Sequence, residues 1–141
     1  MATWEDVRRL ALSLPQTSER ESRGLCQWRV TDKLFVWERP LRRPDLDALG
    51  DGAPDGPILG ARVEHVGAKE ALIAADGDVF FTTPHFDGYP AVLARLERLS
   101  AEDLEEVVVE AWLARASPRL AEAYLDQRPQ VDATRRSSHA R

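Results

Sequence analysis

Two alternating apolar runs joined by only two residues fix the class of fold open to this chain. Cys26, Trp28 and Val30 alternate with Gln27 and Arg29, the pattern of a half-buried strand. Residues 33–39 continue as a second strand, with Phe35 and Trp37 expected on one face and Leu34 and Val36 on the other. Apolar residues on both faces mark a central strand, and Pro40 ends it. Thr31-Asp32 leaves space for a tight turn alone, so the two strands must run antiparallel.

The rest of the chain is read around that hairpin. Thr3 caps a helix whose first turn carries Glu5 and Asp6, and whose apolar face is Trp4, Val7, Leu10, Ala11 and Leu14. Pro15 stops it, and residues 16–23 read as a polar connection. Residues 41–57 hold three prolines, three glycines and four aspartates without any period, which predicts a long surface loop. Residues 58–64 alternate again, with Leu59, Ala61 and Val63 inward. A short helix over 67–75, a strand over 79–82 and a last strand over 91–96 come next. Ser100 and Asp103 open a helix with the stripe Leu104, Val107, Val108, Ala111 and Arg115, widened by Trp112. Ser117-Pro118 starts a final helix. The expected architecture is α+β, a two-layer sandwich with an antiparallel five-stranded sheet and helices packed on one face, in the order α-β-β-β-α-β-β-α-α. One domain spans residues 1–126, with 41–57 as an inserted loop, and 127–141 is expected to be a disordered tail.

Composition narrows the classes of function. A chain of 141 residues, 43% hydrophobic and 30% charged, is long enough for one real core. No apolar run approaches the roughly 20 residues that cross a bilayer, so no membrane partner is expected. The lone Cys26 and the missing signal-peptide pattern point to a cytoplasmic protein without disulfides. Cys26 is expected to pack as a small hydrophobe rather than act as a reactive thiol. The net charge is −5, and residues 128–141 carry four arginines against one aspartate. An acidic body argues against indiscriminate adhesion to nucleic acid but allows a local basic face.

Three passages carry a family resemblance. They are the opening helix from Trp4 to Pro15, the step Trp28-Arg29-Val30 through Lys33-Leu34-Phe35, and the passage from Phe81 through Thr82-Thr83-Pro84-His85-Phe86-Asp87-Gly88-Tyr89-Pro90 to Leu93. Together they make the chain similar to the MmcQ/YjbR-like family over residues 3–125. The Gly-x-Pro step usual before the first strand of that family is replaced by Gly24-Leu25-Cys26, and the 41–57 segment is longer than usual. The resemblance implies a secretion-chaperone-like α+β fold and DNA binding. It supplies no set of DNA-contacting residues, no cofactor and no metal ligands.

Candidate sites are of two kinds. Strand parity sends Gln27, Arg29, Arg62 and Arg95 to the sheet face opposite Trp28, Val63 and Ala94. Those arginines, extended by Arg39, Arg42 and Arg43, can bind DNA or another anion. The bland alternative is a solvated face with the arginines paired to Glu38, Glu64 or Glu97. The second candidate is the loop holding Thr83, His85, Asp87 and Tyr89. His85 and Asp87 can act as a proton-handling pair, or His85 can bond a carbonyl while Asp87 caps the turn at Gly88. His65 and His139 lack metal-ligand spacing with His85. The four tryptophans are expected in the core, with Trp37 the exception. Glu102, Asp103, Glu105, Glu106 and Glu110 form either a solvated helix face or a surface for a basic partner.

No complete catalytic motif is present, so an enzyme is not expected. The leading expectation is a non-enzymatic domain that binds DNA or a polyanion through the arginine-bearing sheet face. The alternatives are a protein-interaction or chaperone-like module, using apolar surface around Leu34, Trp37 and Leu93 and self-associating as a homodimer, and a small-ligand site at the His85-Asp87-Tyr89 loop.

Overall fold

The computed structural model describes residues 2–127, and the tail expectation for 127–141 therefore lies almost wholly outside the described residues. Helix α1 (Trp4–Leu12) leads into strands β1 (Thr17–Ser22), β2 (Leu25–Val30) and β3 (Lys33–Glu38), then helix α2 (Arg43–Leu49). Strand β4 (Ile58–Arg62), helix α3 (Val66–Ala75), strands β5 (Phe80–Phe81) and β6 (Ala91–Arg95), and helices α4 (Ala101–Arg115) and α5 (Pro118–Asp126) complete the chain. The sheet is antiparallel throughout, in the order β1-β2-β3-β4-β6-β5. The α+β class and antiparallel sheet stand as expected. No helix among the described residues is long and apolar enough to cross a membrane.

Local signals explain most of these elements. Thr3 and Asp6 form a reciprocal capping box on α1. Ser100 accepts the Asp103 N–H at α4, and Ser117 accepts the Leu120 N–H at α5, where Pro118 takes the first turn. Thr31 and Asp32 both take positive φ, as a two-residue hairpin turn of the sheet's own twist requires.

Three expectations about the strands and the 41–57 segment need correction. The sheet has six strands, because residues 17–22 form β1 rather than a connection. Arg23-Gly24 supplies a second two-residue turn, with φ of 53° and 80°, and Ser22 pairs with Leu25. The strand is an edge solvated on both sides, so it shows no apolar alternation. Second, the 41–57 segment is not all loop: α2 forms within it, started by Pro44 and by the Asp45 carboxylate, which accepts the Arg42 N–H at 2.8 Å. Third, Phe35 and Trp37 do not share a face. A bulge pairs Trp28 with Val36 and Arg29 with Leu34, which leaves Phe35 as the extra residue. Phe35 and Val36 both join the helix-side core.

That main core lies between one sheet face and the helices α1 and α4. Trp28, Phe35, Leu59, Val92, Leu104 and Trp112 are all fully buried in it. The indole N–H of Trp28 donates to Glu19 at 2.9 Å, and that of Trp112 donates to the Pro15 carbonyl at 3.1 Å. Trp4 stacks on Trp28 with centroids 6.4 Å apart. Both large aromatics therefore bury their rings without abandoning their donors.

The opposite face is not left open, and the helices do not all lie on one side. Trp37, Ile58, Phe81, Phe86, Ala91 and Leu93 make a second, smaller core, closed by Leu41 and by Leu49 of α2. Trp37 lies so close over Gly60 that a Cβ there would collide with its indole. Arg39 reaches from the end of β3 to Asp45 at 3.1 Å, with both side chains buried, and its guanidinium sits over the Phe86 ring, 5.2 Å from the centroid. From below, the buried Lys69 of α3 donates to the carbonyls of Phe86 at 2.6 Å and Tyr89 at 3.1 Å.

Burial by itself would raise the Asp45 pKa, but the Arg42 N–H and the Arg39 charge outweigh it and hold the carboxyl below its ordinary value of 3.8. A depressed carboxylate pKa stabilises the fold above the unfolded value and loses that contribution as pH falls through the folded one. Asp45→Asn leaves Arg39 buried and unpaired and is expected to cost about 3–5 kcal/mol in urea denaturation at pH 7. The gap from wild type should close as pH drops below about 4. Lys69→Met keeps the length but removes two donors, for an expected loss of about 1–3 kcal/mol. Hydrogen exchange should show the Asp87 and Tyr89 amides opening faster in that variant, with the main core unchanged.

Candidate anion-binding site

Strands β4 and β6 pair without a bulge, so parity holds along them. Arg62 lies opposite Ala91, Arg95 opposite Ile58, and Arg29 opposite Leu34, all on the face of the second core. The arginines do not form one patch, however. Arg62 and Arg95 stand at opposite ends of the β4–β6 pair, about 13 Å apart along the strands.

Their partners separate them further. Arg95 donates to the carbonyls of Asp78 at 3.0 Å and of Gly77 and Gly52 at 3.4 Å, and lies 5.2 Å from the Phe81 centroid. It ties loops together. Arg29 donates to the Asp32 carbonyl at 3.1 Å and to Gln27 at 3.0 Å. Arg39 is neutralised by Asp45. Neither Glu64 nor Glu97 nor Glu38 pairs with Arg29, Arg62 or Arg95 among the described residues; Glu38 instead accepts the Cys26 N–H at 2.8 Å.

Arg62 is different. Among the described residues its hydrogen-bond partner is the Tyr89 hydroxyl at 2.7 Å, and its guanidinium covers the Tyr89 ring at 4.7 Å. Burial, and then the charge of Arg115, lower its pKa. Arg115 comes from the last turn of α4, is half-buried, and forms no ion pair among the described residues. The Nε atoms of both arginines are enclosed and lack hydrogen-bond partners among the described residues. Two like charges thus sit within each other's field, and neither is in an ion pair among the described residues.

Both arginines line a trough of about 680 Å³ on the second sheet face. Gln27, Leu34 and Trp37 line it from the strands, and Arg23 of the β1–β2 turn together with Arg39 and Arg42 line the end beyond β3. His85, Phe86, Asp87 and Tyr89 contribute the loop side. Five arginines therefore meet only two acids, Glu38 and Asp87, around this trough.

The loop itself behaves as a shaped wall. Pro84–Phe86 is a single 3-10 turn, and Gly88 takes the positive φ of 72° expected of it. His85 and Asp87 are exposed and do not hydrogen-bond each other; the His85 ring packs edge-on against Phe86 at 4.8 Å. Thr83 is buried, with its hydroxyl beside Asp45. Lys69, which positions the wall, has its pKa lowered by burial, against the opposing pull of Asp87 and Glu70. His65 caps α3, its Nδ1 accepting the Ala68 N–H at 3.0 Å. His139 lies outside the described residues. Burial, then Glu38, pushes the Cys26 thiol pKa up, as packing against the main core demands.

Sequence reasoning missed Arg23, Arg115 and Lys69. Arg115 had a readable signal: it falls four residues after Ala111 on the apolar stripe of α4, where a charge needs a reason. Lys69 had none, because its partners are two backbone carbonyls.

Comparison with known proteins agrees with this fold. An uncharacterized protein of Mycobacterium bovis, Mb2600, is 52% identical over 128 residues, covering 89% of this chain and 97% of that protein. The uncharacterized protein Rv2570 of Mycobacterium tuberculosis matches to the same extent. The crystal structure of Deinococcus radiodurans protein DR2400, with a domain of the family DUF419, superposes with a TM-score of 0.59 at 18% identity, over 80% of this chain and 78% of that one. It shares the fold. The model of the YjbR family matches residues 12–114, from the end of α1 to the last turn of α4, and the chain belongs to that family.

Proposed function

We propose that this domain is a non-enzymatic binder of DNA or another polyanion, and that the arginine-lined trough is where the anion lies. The observation that carries this reading is the pair Arg62 and Arg115, half-buried in a concave site and outside any ion pair among the described residues. An arrangement of that kind is costly unless an anion joins it. It occurs on a chain of net charge −5, which limits adhesion elsewhere on the surface. Arg23 and Arg42 are exposed at the other end of the trough and extend the positive lining along it. His85 and Asp87 belong to this reading as rim residues. Of the surface named for a protein-interaction module, Leu93 is fully buried, whereas Leu34 and Trp37 line the trough beside the arginines.

Four arginines of the trough, Arg23, Arg42, Arg62 and Arg115, lie outside any ion pair among the described residues. Four phosphate contacts imply a slope of log K against log salt of about −3 on single strands and about −3.6 on duplex. Fluorescence anisotropy with labelled single- and double-stranded DNA, between about 50 and 200 mM salt, measures it. The combined Arg23→Gln and Arg42→Gln change is expected to flatten the slope by about 1.5. Arg119→Gln, on the exposed side of α5, should leave it unchanged. Absence of binding at low salt, or a slope indifferent to the double change, overturns the reading.

A further inference from the structure

We infer that Arg62, Arg115 and the Tyr89 hydroxyl form a subsite for a single phosphate monoester, so that the trough recognises the terminal phosphate of a strand or of a nucleotide. This rests on the anion-binding reading of the trough and specifies its chemistry at one end.

Three observations converge. First, the charges are concentrated rather than spread. Arg115 is near enough to depress the Arg62 pKa, and neither has a carboxylate partner among the described residues. An internal phosphodiester brings one negative charge and would leave one of the two cations uncompensated. A phosphate monoester near neutral pH brings about −1.5 to −2 and three acceptor oxygens. Second, the donors are held in place. Each guanidinium is enclosed around its Nε, and Arg62 is further fixed over the Tyr89 ring at 4.7 Å. Fixed guanidinium groups suit the multidentate recognition of a phosphate better than waving surface lysines do. Third, the Tyr89 hydroxyl accepts from Arg62 at 2.7 Å, which leaves its own proton to donate. Tyr89 is held by its carbonyl on Lys69 at 3.1 Å and is 44% exposed, so the hydroxyl is both placed and reachable.

The rest of the trough suits the nucleoside attached to such a phosphate. Trp37 and Leu34 offer apolar surface, Gln27 offers an amide, and the volume of about 680 Å³ is that of a site for a small ligand or a short stretch of strand.

The test compares otherwise identical single-stranded oligonucleotides ending in a phosphate or in a hydroxyl, labelled at the far end, with the full chain. The phosphorylated strand is expected to bind about 10-fold more tightly, the effect of one good charge-assisted contact set. Arg115→Gln and, separately, Tyr89→Phe should reduce that preference to about twofold or less, and Arg115→Gln should also weaken the hydroxyl-ended strand by about one phosphate contact. Tyr89→Phe keeps the ring under Arg62, so its result does not hinge on the fold. Equal binding of the two strands by the wild type overturns the subsite and leaves the trough reading standing. Failure of both strands to bind at low salt removes both. Competition by a nucleoside monophosphate, at a concentration matching the affinity of the phosphorylated strand, would confirm the subsite and assign it to the free nucleotide. Competition only by the strand assigns it to the strand end.

Discussion

The buried ion pair between Arg39 and Asp45 fastens part of the cover on the second face of the sheet. Asp45 lies in the first turn of α2, and Arg39 at the end of β3. Their contact at 3.1 Å fastens the 41–57 segment against the strand it has just left. The same guanidinium then supports Phe86, and through it the loop that forms one side of the trough. Buried pairs gain little net stability once the cost of desolvating both charges is counted. The contribution of this pair is position: it anchors α2 to the end of β3 and sets a guanidinium against the Phe86 ring. Lys69 performs the matching task from α3, with a single ammonium spanning two carbonyls of the loop.

The consequence is a division of labour among arginines that look alike in the sequence. Arg39 is an internal strut, Arg95 ties loops together through three carbonyls, and Arg29 stiffens its own hairpin. Arg62 and Arg115 are enclosed around their Nε atoms yet have no ion-pair partner among the described residues. Net charge is a poor guide to such a protein. Its acidic total reflects the solvated helix surfaces and says little about the sign of the field inside one concave site.

Legibility in the sequence depends on where the information is local. The hairpin at Thr31-Asp32, the caps at Thr3, Ser100 and Ser117, and the parity of Arg62 and Arg95 all depend on near neighbours, and all stand. Strand β1 was not legible because an edge solvated on both sides has no apolar period to reveal it. Helix α2 was hidden by the prolines and glycines around it, although Pro44 and Asp45 together are a helix-start signal. The bulge at Phe35 changed the parity of β3, and no residue type announces a bulge there. Arg95 could not be recognised as a structural tie, since it bonds Asp78 and Gly52 at 17 and 43 residues' remove. The trough was half legible: its arginine on β4 could be placed on a face, but the companion from α4 could not.

The two outer strands of the sheet differ in a way that bears on how the protein behaves in company. On one side β5 is only two residues long and offers almost no free backbone edge. On the other side β1 is six residues long, but its sequence Thr-Ser-Glu-Arg-Glu-Ser is polar throughout and exposed at every step after the first. A guest strand would have to desolvate those polar and charged groups to add to the sheet. One border is protected by brevity and the other by solvation. Concentrated solutions of this domain should therefore resist the edge-to-edge growth that turns open sheets into fibres.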